Sequence, residues 1–327
     1  MIPSRSPTSE TLSRPLDLTQ PDGKTRWLET AFVLLAWSCA LLSAGTLFWI
    51  ARVVYQDARP AIAEFGLEFL WGREWSSTRE VFGALPFVYG TLVTSAIALL
   101  LAVPFGLAVA IVTSETILPQ WVRSPVAFLI ELIAAIPSVI IGLWGIFVLV
   151  PFLMPLQRWL HATLGWIPLF GSEPFGPGLL AAGVLLAIMI LPTIAAISRD
   201  VLLAIPPELR SASRSLGATR WETIVRTLLP AGSAGIIGAI VLALGRALGE
   251  TMAVTMVIGN AVRISPSLLD SGYTIPAILA NQFAEALKPI HIGALMYLAL
   301  ILFGLTLVVN VIAVVLVQWV SRRAIVR

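Results

Sequence analysis

The sequence is poor in the residues that carry most enzyme chemistry. It has one cysteine and two histidines in 327 residues. Cys39 alone cannot close an internal disulfide, and so few soft ligands argue against a structural metal site. No His-Glu-x-x-His run is present, so that metalloprotease pattern is excluded. The nearest run to a serine nucleophile site, Ala231-Gly232-Ser233-Ala234-Gly235, lacks the first glycine. His161 and His291 fall in or near segments read below as external loops. Gly23-Lys24-Thr25 has the last three residues of a phosphate-binding loop, but Leu18 stands where its first glycine belongs. No ATP site is therefore expected in this chain. Charge is scarce as well. Only 12% of residues are charged, against about 25% in soluble domains.

The chain has apolar length instead. It is 58% hydrophobic, and several runs exceed the roughly 20 residues a helix needs to cross a bilayer. Barrel strands would be short and alternating, whereas these runs are long and continuous. The expected fold is an all-α integral membrane protein. Six spans are expected at 27–51, 85–113, 125–151, 178–198, 231–260 and 292–320. The first is too long for a signal-peptide core and stays bulky to its end, so it is expected to be uncleaved. Thirteen lysines and arginines fall on the side of both termini, against seven on the other. That bias places both termini in the cytoplasm. Residues 1–26 are rich in Ser, Thr and Pro and are expected to be a disordered cytoplasmic tail. Residues 27–327 would form the membrane domain, with an external loop at 52–84 and a cytoplasmic loop at 199–230. Gly and Pro punctuate several spans, at Pro104, Gly106, Pro137, Gly142, Pro192, Gly235 and Gly238. Close helix packing accounts for most of them.

The cytoplasmic loop has internal structure. Pro207 suits a first helical turn, Leu209, Ala212 and Leu216 recur near helical spacing, and Gly217 stops the helix. A second short helix follows, with Trp221, Ile224, Val225 and Leu228 on one side, and Pro230 marks the entry to the fifth span. Helix–Gly–helix on a cytoplasmic face could dock into a partner's groove or lie on anionic lipid.

The fifth span carries two charges, Arg246 and Glu250, one turn apart. A charge at mid-membrane costs about 2.5–3.5 kcal/mol on insertion scales. Sixteen residues separate Arg246 from Pro230, about 24 Å of helix at ~1.5 Å per residue. The two should therefore face a bundle interior or a wet cavity. One reading is a self-neutralising pair that pins helices together, although Arg before Glu is the weaker order. The other is that Arg246 offers a fork of donors to an oxyanion, with Glu250 keeping it from binding too tightly and Thr251 beside them. The residues alone leave these two open. Glu131, in the third span, is a second candidate partner for Arg246.

The loop resembles the coupling (EAA) loop of ABC-importer permeases: Glu-Ala-Ala, three residues, Gly, nine residues, Ile-x-Leu-Pro. Ala212, Gly217, Leu229 and Pro230 are in register, while Ser211, Ser213 and Thr227 depart from the pattern. Four stretches then resemble the PstC branch of the phosphate-importer permeases. They are Phe82-Gly83-Ala84-Leu85-Pro86-Phe87-Val88-Tyr89-Gly90-Thr91-Leu92, Ala135-Ile136-Pro137-Ser138-Val139, Gly142-Leu143-Trp144-Gly145 and Gly245-Arg246-Ala247-Leu248-Gly249-Glu250-Thr251-Met252-Ala253-Val254. The last is the most specific of them.

The resemblance implies a MetI-like permease with a pathway role for Arg246, Glu250 and Thr251. It implies coupling to the ATPase through Glu208, Ala212, Gly217, Arg220, Leu229 and Pro230. Implied partners are a PstA-like second permease, a PstB-like ATPase dimer that binds ATP and Mg, and a PstS-like periplasmic phosphate-binding protein. No cofactor of its own, no catalytic site and no nucleic-acid partner are expected. The alternatives are a permease for sulfate or molybdate, the sister subunit PstA, or a secondary transporter. The last commonly shows two related halves, and no clear internal repeat is present here.

Overall fold

The computed structural model describes residues 23–115 and 118–325. The tail expected over 1–26 lies outside the described residues up to position 22. From Gly23 onward the chain is helical, earlier than expected. It divides into two units, Met1–Val53 and Val54–Arg327. The described part of the first unit is helix with Phe32, Trp37, Phe48 and Trp49 exposed, and belongs to α1 (Gly23–Phe65).

In the second unit, α1 ends at Phe65 and a 3-10 turn covers Gly66–Leu70. The expected external loop is thus partly helix. It closes with a two-stranded hairpin, β1 (Trp75–Ser76) and β2 (Val81–Phe82), in which Trp75 pairs with Phe82. The helices α2 (Leu85–Ser114), α3 (Gln120–Ala135), α4 (Ser138–Trp144), α5 (Val150–Leu164), α6 (Leu179–Ala204), α7 (Pro207–Ser215), α8 (Arg220–Thr223) and α9 (Leu229–Gly249) follow. The chain ends with α10 (Met252–Val257), α11 (Ile275–Gln282) and α12 (Pro289–Ile325). Among the described residues, six helical stretches are long and apolar enough to cross a membrane.

Two spans differ from the sequence expectation. The third does not run through 125–151. It breaks at Ile136, whose ψ is 128°, and restarts at Ser138, so the spanning stretch is Ser138–Leu164. Pro137 explains this, because it has no N–H and disfavours helix in the residue before it. The fifth runs Arg220–Gly249 rather than 231–260. Pro230 does not open a new helix. A π-turn over Ile224–Leu228 precedes it and carries the helix past the missing N–H. The same device recurs at Gly145–Leu149, just before Pro151.

The core is a tight stack of α2, α6 and α9. Ala98, Ala102, Ala181, Ala182, Ile190, Ile194 and Ala243 are all fully buried in it. Small residues let these backbones approach closely, which drives helix association in lipid. The two broken segments, α4 and α10, pack on each other beside this stack. A Cβ at Gly142 would lie 2.9 Å from the Ala253 Cα, so only glycine permits that crossing. At one end of the bundle Trp75, Phe69, Phe82, Phe87 and Tyr273 form an aromatic cluster. Trp75 Nε1 donates to Gln282 Oε1 at 2.8 Å within it. The loop at 205–230 lies at the opposite end.

Candidate functional site

Arg246 is in the last turn of α9. The helix stops at Gly249, because Glu250 turns extended with ψ 126°. The two charges therefore do not stand one turn apart on a continuous helix, and no ion pair joins them among the described residues. The carbonyl end of α9 favours a nearby cation instead. Arg246 is exposed in the chain, and among the described residues its side chain makes one hydrogen bond, from Nη1 to Thr193 Oγ1 on α6 at 3.5 Å. This is the outer limit of a hydrogen bond.

Arg246 opens into a groove of about 660 Å³ lined by Thr193, Gly238, Gly245, Asn310 and aliphatic neighbours. Thr251 opens elsewhere, into a groove of about 510 Å³ with Pro276, Phe283 and Met296. Its hydroxyl donates to the Gly249 carbonyl at 3.1 Å. The break in the fifth span thus separates residues that the sequence places side by side. Glu131 does not reach Arg246. Its partner is Arg199 on α6, at 3.7 Å.

The loop at 205–230 is a helical hairpin. Glu208 is in the first turn of α7 and Pro207 opens it. Gly217 has φ +88°, the left-handed conformation that favours glycine after a helix end. Thr219 and Glu222 then form a reciprocal capping box at the start of α8. Ala212, Gly217, Arg220 and Pro230 are exposed and Leu229 is half-buried. Leu216, Trp221, Leu209 and Val225 leave an apolar surface bare, with Leu216 91% exposed.

Arg210 ties this hairpin to the bundle. Its guanidinium donates to Glu115 Oε1 at 3.1 Å, to the Ile205 carbonyl at 2.7 Å and to the Leu202 carbonyl at 2.6 Å. The Glu115 side chain is only 8% exposed. Two of the positions that depart from the coupling-loop pattern meet each other. Thr227 Oγ1 donates to Ser213 Oγ at 3.3 Å, and Ser213 also bonds the Thr223 hydroxyl at 3.2 Å. A polar contact stands where the pattern has two apolar side chains.

The residues that sequence reasoning missed are Thr193, Asn310, Arg210 and Glu115. Asn310 had a signal, because it interrupts a long aliphatic run. Glu115 and Arg210 are 95 positions apart, and nothing in either segment announces the other. The rival serine site finds no support. Ser233 Oγ donates to the Pro230 carbonyl, while His161 bonds the Phe170 carbonyl and His291 bonds Gln282. Among the described residues, no three His, Cys, Asp or Glu side chains gather to hold a metal ion.

The family described as "Binding-protein-dependent transport system inner membrane component" matches residues 102–326. This region includes the hairpin and the Arg246 groove. A "Phosphate transport system permease protein PstC" of Mesorhizobium japonicum is 44% identical over 281 residues, covering 84% of this chain and 86% of that protein. One of Xylella fastidiosa is 43% identical over 298 residues, covering 90% and 88%. In fold, the chain is similar to a bacterial alginate ABC transporter chain, with TM-score 0.56 and 15% identity over 89% of this chain and 97% of that one. It is also similar to the MetNI methionine ABC transporter, with TM-score 0.52 and 22% identity over 75% and 99%. The chain belongs to the binding-protein-dependent transport system inner membrane components, in their PstC family.

Proposed function

We propose that this chain is the membrane-spanning permease subunit of an ABC importer that carries inorganic phosphate inward, driven by ATP hydrolysis in a partner subunit. The observation that carries the reading is Arg246. It is a guanidinium on a membrane-spanning helix, bound to no carboxylate among the described residues, facing an open groove. An arginine kept unpaired at that depth is costly unless an anion passes it. Phosphate offers planar pairs of oxygens that its fork of donors fits. Because Arg246 is held only by a helix end and one long contact, it can release the anion as well as take it. Glu250 and Thr251, across the break from Arg246, belong to the same pathway in this reading.

The partners are a PstA-like permease, two PstB-like ATPase subunits that bind ATP and Mg, and a PstS-like phosphate-binding protein outside. The hairpin carries the coupling. Glu208, Ala212, Gly217 and Arg220 present α7 and α8 to the ATPase, and Leu229 and Pro230 continue them into the fifth span. The bare Leu209, Leu216 and Trp221 side chains suit an amphipathic helix in a groove. The π-turn leaves no flexible joint between hairpin and span, so movement of one displaces the other. The chain lies in a bacterial inner membrane with both termini cytoplasmic, as the charge bias requires.

The test is uptake of radiolabelled phosphate by cells whose only phosphate importer contains this chain. Saturable, ATP-dependent phosphate uptake is expected. Transport of sulfate or molybdate in its place would overturn the substrate assignment.

A further inference from the structure

Asn310 is the one side chain with an amide or charge between Thr306 and Val315 on α12, amid Leu, Val, Ile and Ala. Thr306 satisfies itself by donating to the carbonyls of Leu302 and Phe303, each at 2.9 Å. Asn310 does not; its amide meets no hydrogen-bond partner among the described residues. An amide left unpaired in a membrane span is costly. It lines the same groove as Arg246 and Thr193, so polar side chains from α12, α9 and α6 converge on one space of about 660 Å³. The α9 wall between them is open, since a Cβ at Gly238 or Gly245 would meet nothing within 4 Å.

We infer that Asn310 and Thr193 contact the transported oxyanion together with Arg246, and that Asn310 accepts the hydrogen of a protonated oxygen. This rests on the pathway reading of Arg246. Phosphate at neutral pH presents anionic oxygens and at least one P–OH. Arg246 can only donate, which serves the anionic oxygens. The P–OH needs an acceptor, and the Asn310 carbonyl oxygen is one, while its NH₂ can donate to a neighbouring oxygen. Thr193, already the acceptor for Arg246, holds the guanidinium at the groove wall. Sulfate carries no proton at neutral pH and leaves the Asn310 acceptor facing lone pairs. Arsenate is protonated like phosphate. The site therefore favours protonated oxyanions.

The chain's single cysteine makes this testable in the assembled complex. In a Cys39→Ser background, Asn310→Cys and Thr193→Cys are treated with a sulfonated methanethiosulfonate reagent, with and without ATP, and modification of this chain is read by mass. Both cysteines should react in at least one nucleotide state. Saturating phosphate or arsenate should slow the reaction at Thr193→Cys about tenfold, and sulfate should leave it unchanged. Adding Asn310→Leu should cut phosphate moved per ATP about tenfold, equivalent to ~1.4 kcal/mol, with assembly intact. Failure of Asn310→Cys to react in every state, protection by sulfate equal to phosphate, or normal transport by Asn310→Leu would each overturn the inference. Normal uptake by Arg246→Gln would instead defeat the pathway reading beneath it.

Discussion

Arg210 and Arg246 are the same side chain in opposite surroundings. Arg210 spends its donors on Glu115 and two helix-end carbonyls, all within 3.1 Å, and joins the hairpin to the ends of α2 and α6. Arg246 has one contact, at 3.5 Å, and faces open space. A guanidinium bonded through each of its three nitrogens is a fastener; one left open is available to an anion. The same contrast separates the two ends of the fifth helical stretch. Its hairpin end is pinned by capping and polar contacts, and its other end breaks at Glu250 beside a groove.

The comparison breaks most visibly at Arg210. Arg210→Ala leaves Glu115 buried without its partner, a loss of about 3–5 kcal/mol for a buried pair. The expected result is a sharp fall in assembled complex, read by co-purification of the ATPase with the membrane subunits. Normal assembly would show that the clamp is dispensable. Arg210→Lys keeps the charge but loses the fork, and should cost about 1.5–3 kcal/mol through its charged hydrogen bonds. Arg246→Lys should leave thermal stability of the complex within about 0.5 kcal/mol, as for a substitution that breaks no buried network. Equal losses at the two positions would show that the two arginines do the same structural work.

Smaller effects test the hairpin itself. Gly217→Leu forces a side chain into the left-handed region, a strain of about 1–2 kcal/mol, and puts a bulky group on the docking face. ATP hydrolysis should continue while phosphate uptake per ATP falls. Full coupling in that variant would count against the docking role. Ser213→Ala should cost about 0.5–1.5 kcal/mol by leaving the Thr227 hydroxyl without its partner, and Thr227→Ile should cost less, because Ser213 keeps the Thr223 hydroxyl. The double variant should recover much of that loss, since it restores two facing apolar groups. A double-mutant cycle of melting temperatures measures the coupling, and strict additivity would show that the two positions are independent.

Much of the fold was legible in the sequence because long apolar runs have one physical meaning in lipid. The hairpin was legible because Pro207 and Gly217 punctuate it. The breaks at Ile136 and Glu250 were harder, since long apolar stretches flank both. Pro137 signalled the first break. At the second no proline intervenes, so the fifth run read as one helix and Arg246 and Glu250 as a pair. Two elements, α4 and α10, owe their positions to each other through Gly142 and Ala253, a contact no local pattern encodes. The partners of Glu131 and Arg210 were invisible for the same reason, because ion pairs between distant helices leave no spacing rule. The groove residues Thr193 and Asn310 gather only once three helices are packed.

The pathway role proposed for Arg246 is that it is kept unpaired for the substrate. It is tested most directly by phosphate uptake in cells whose only importer carries Arg246→Gln, at membrane levels matched to wild type. Uptake should fall about 100-fold or more, as expected when a charged contact worth ~3 kcal/mol is lost, with assembly and ATP hydrolysis retained. Unchanged uptake would contradict it and make Arg246 a structural residue like Arg210.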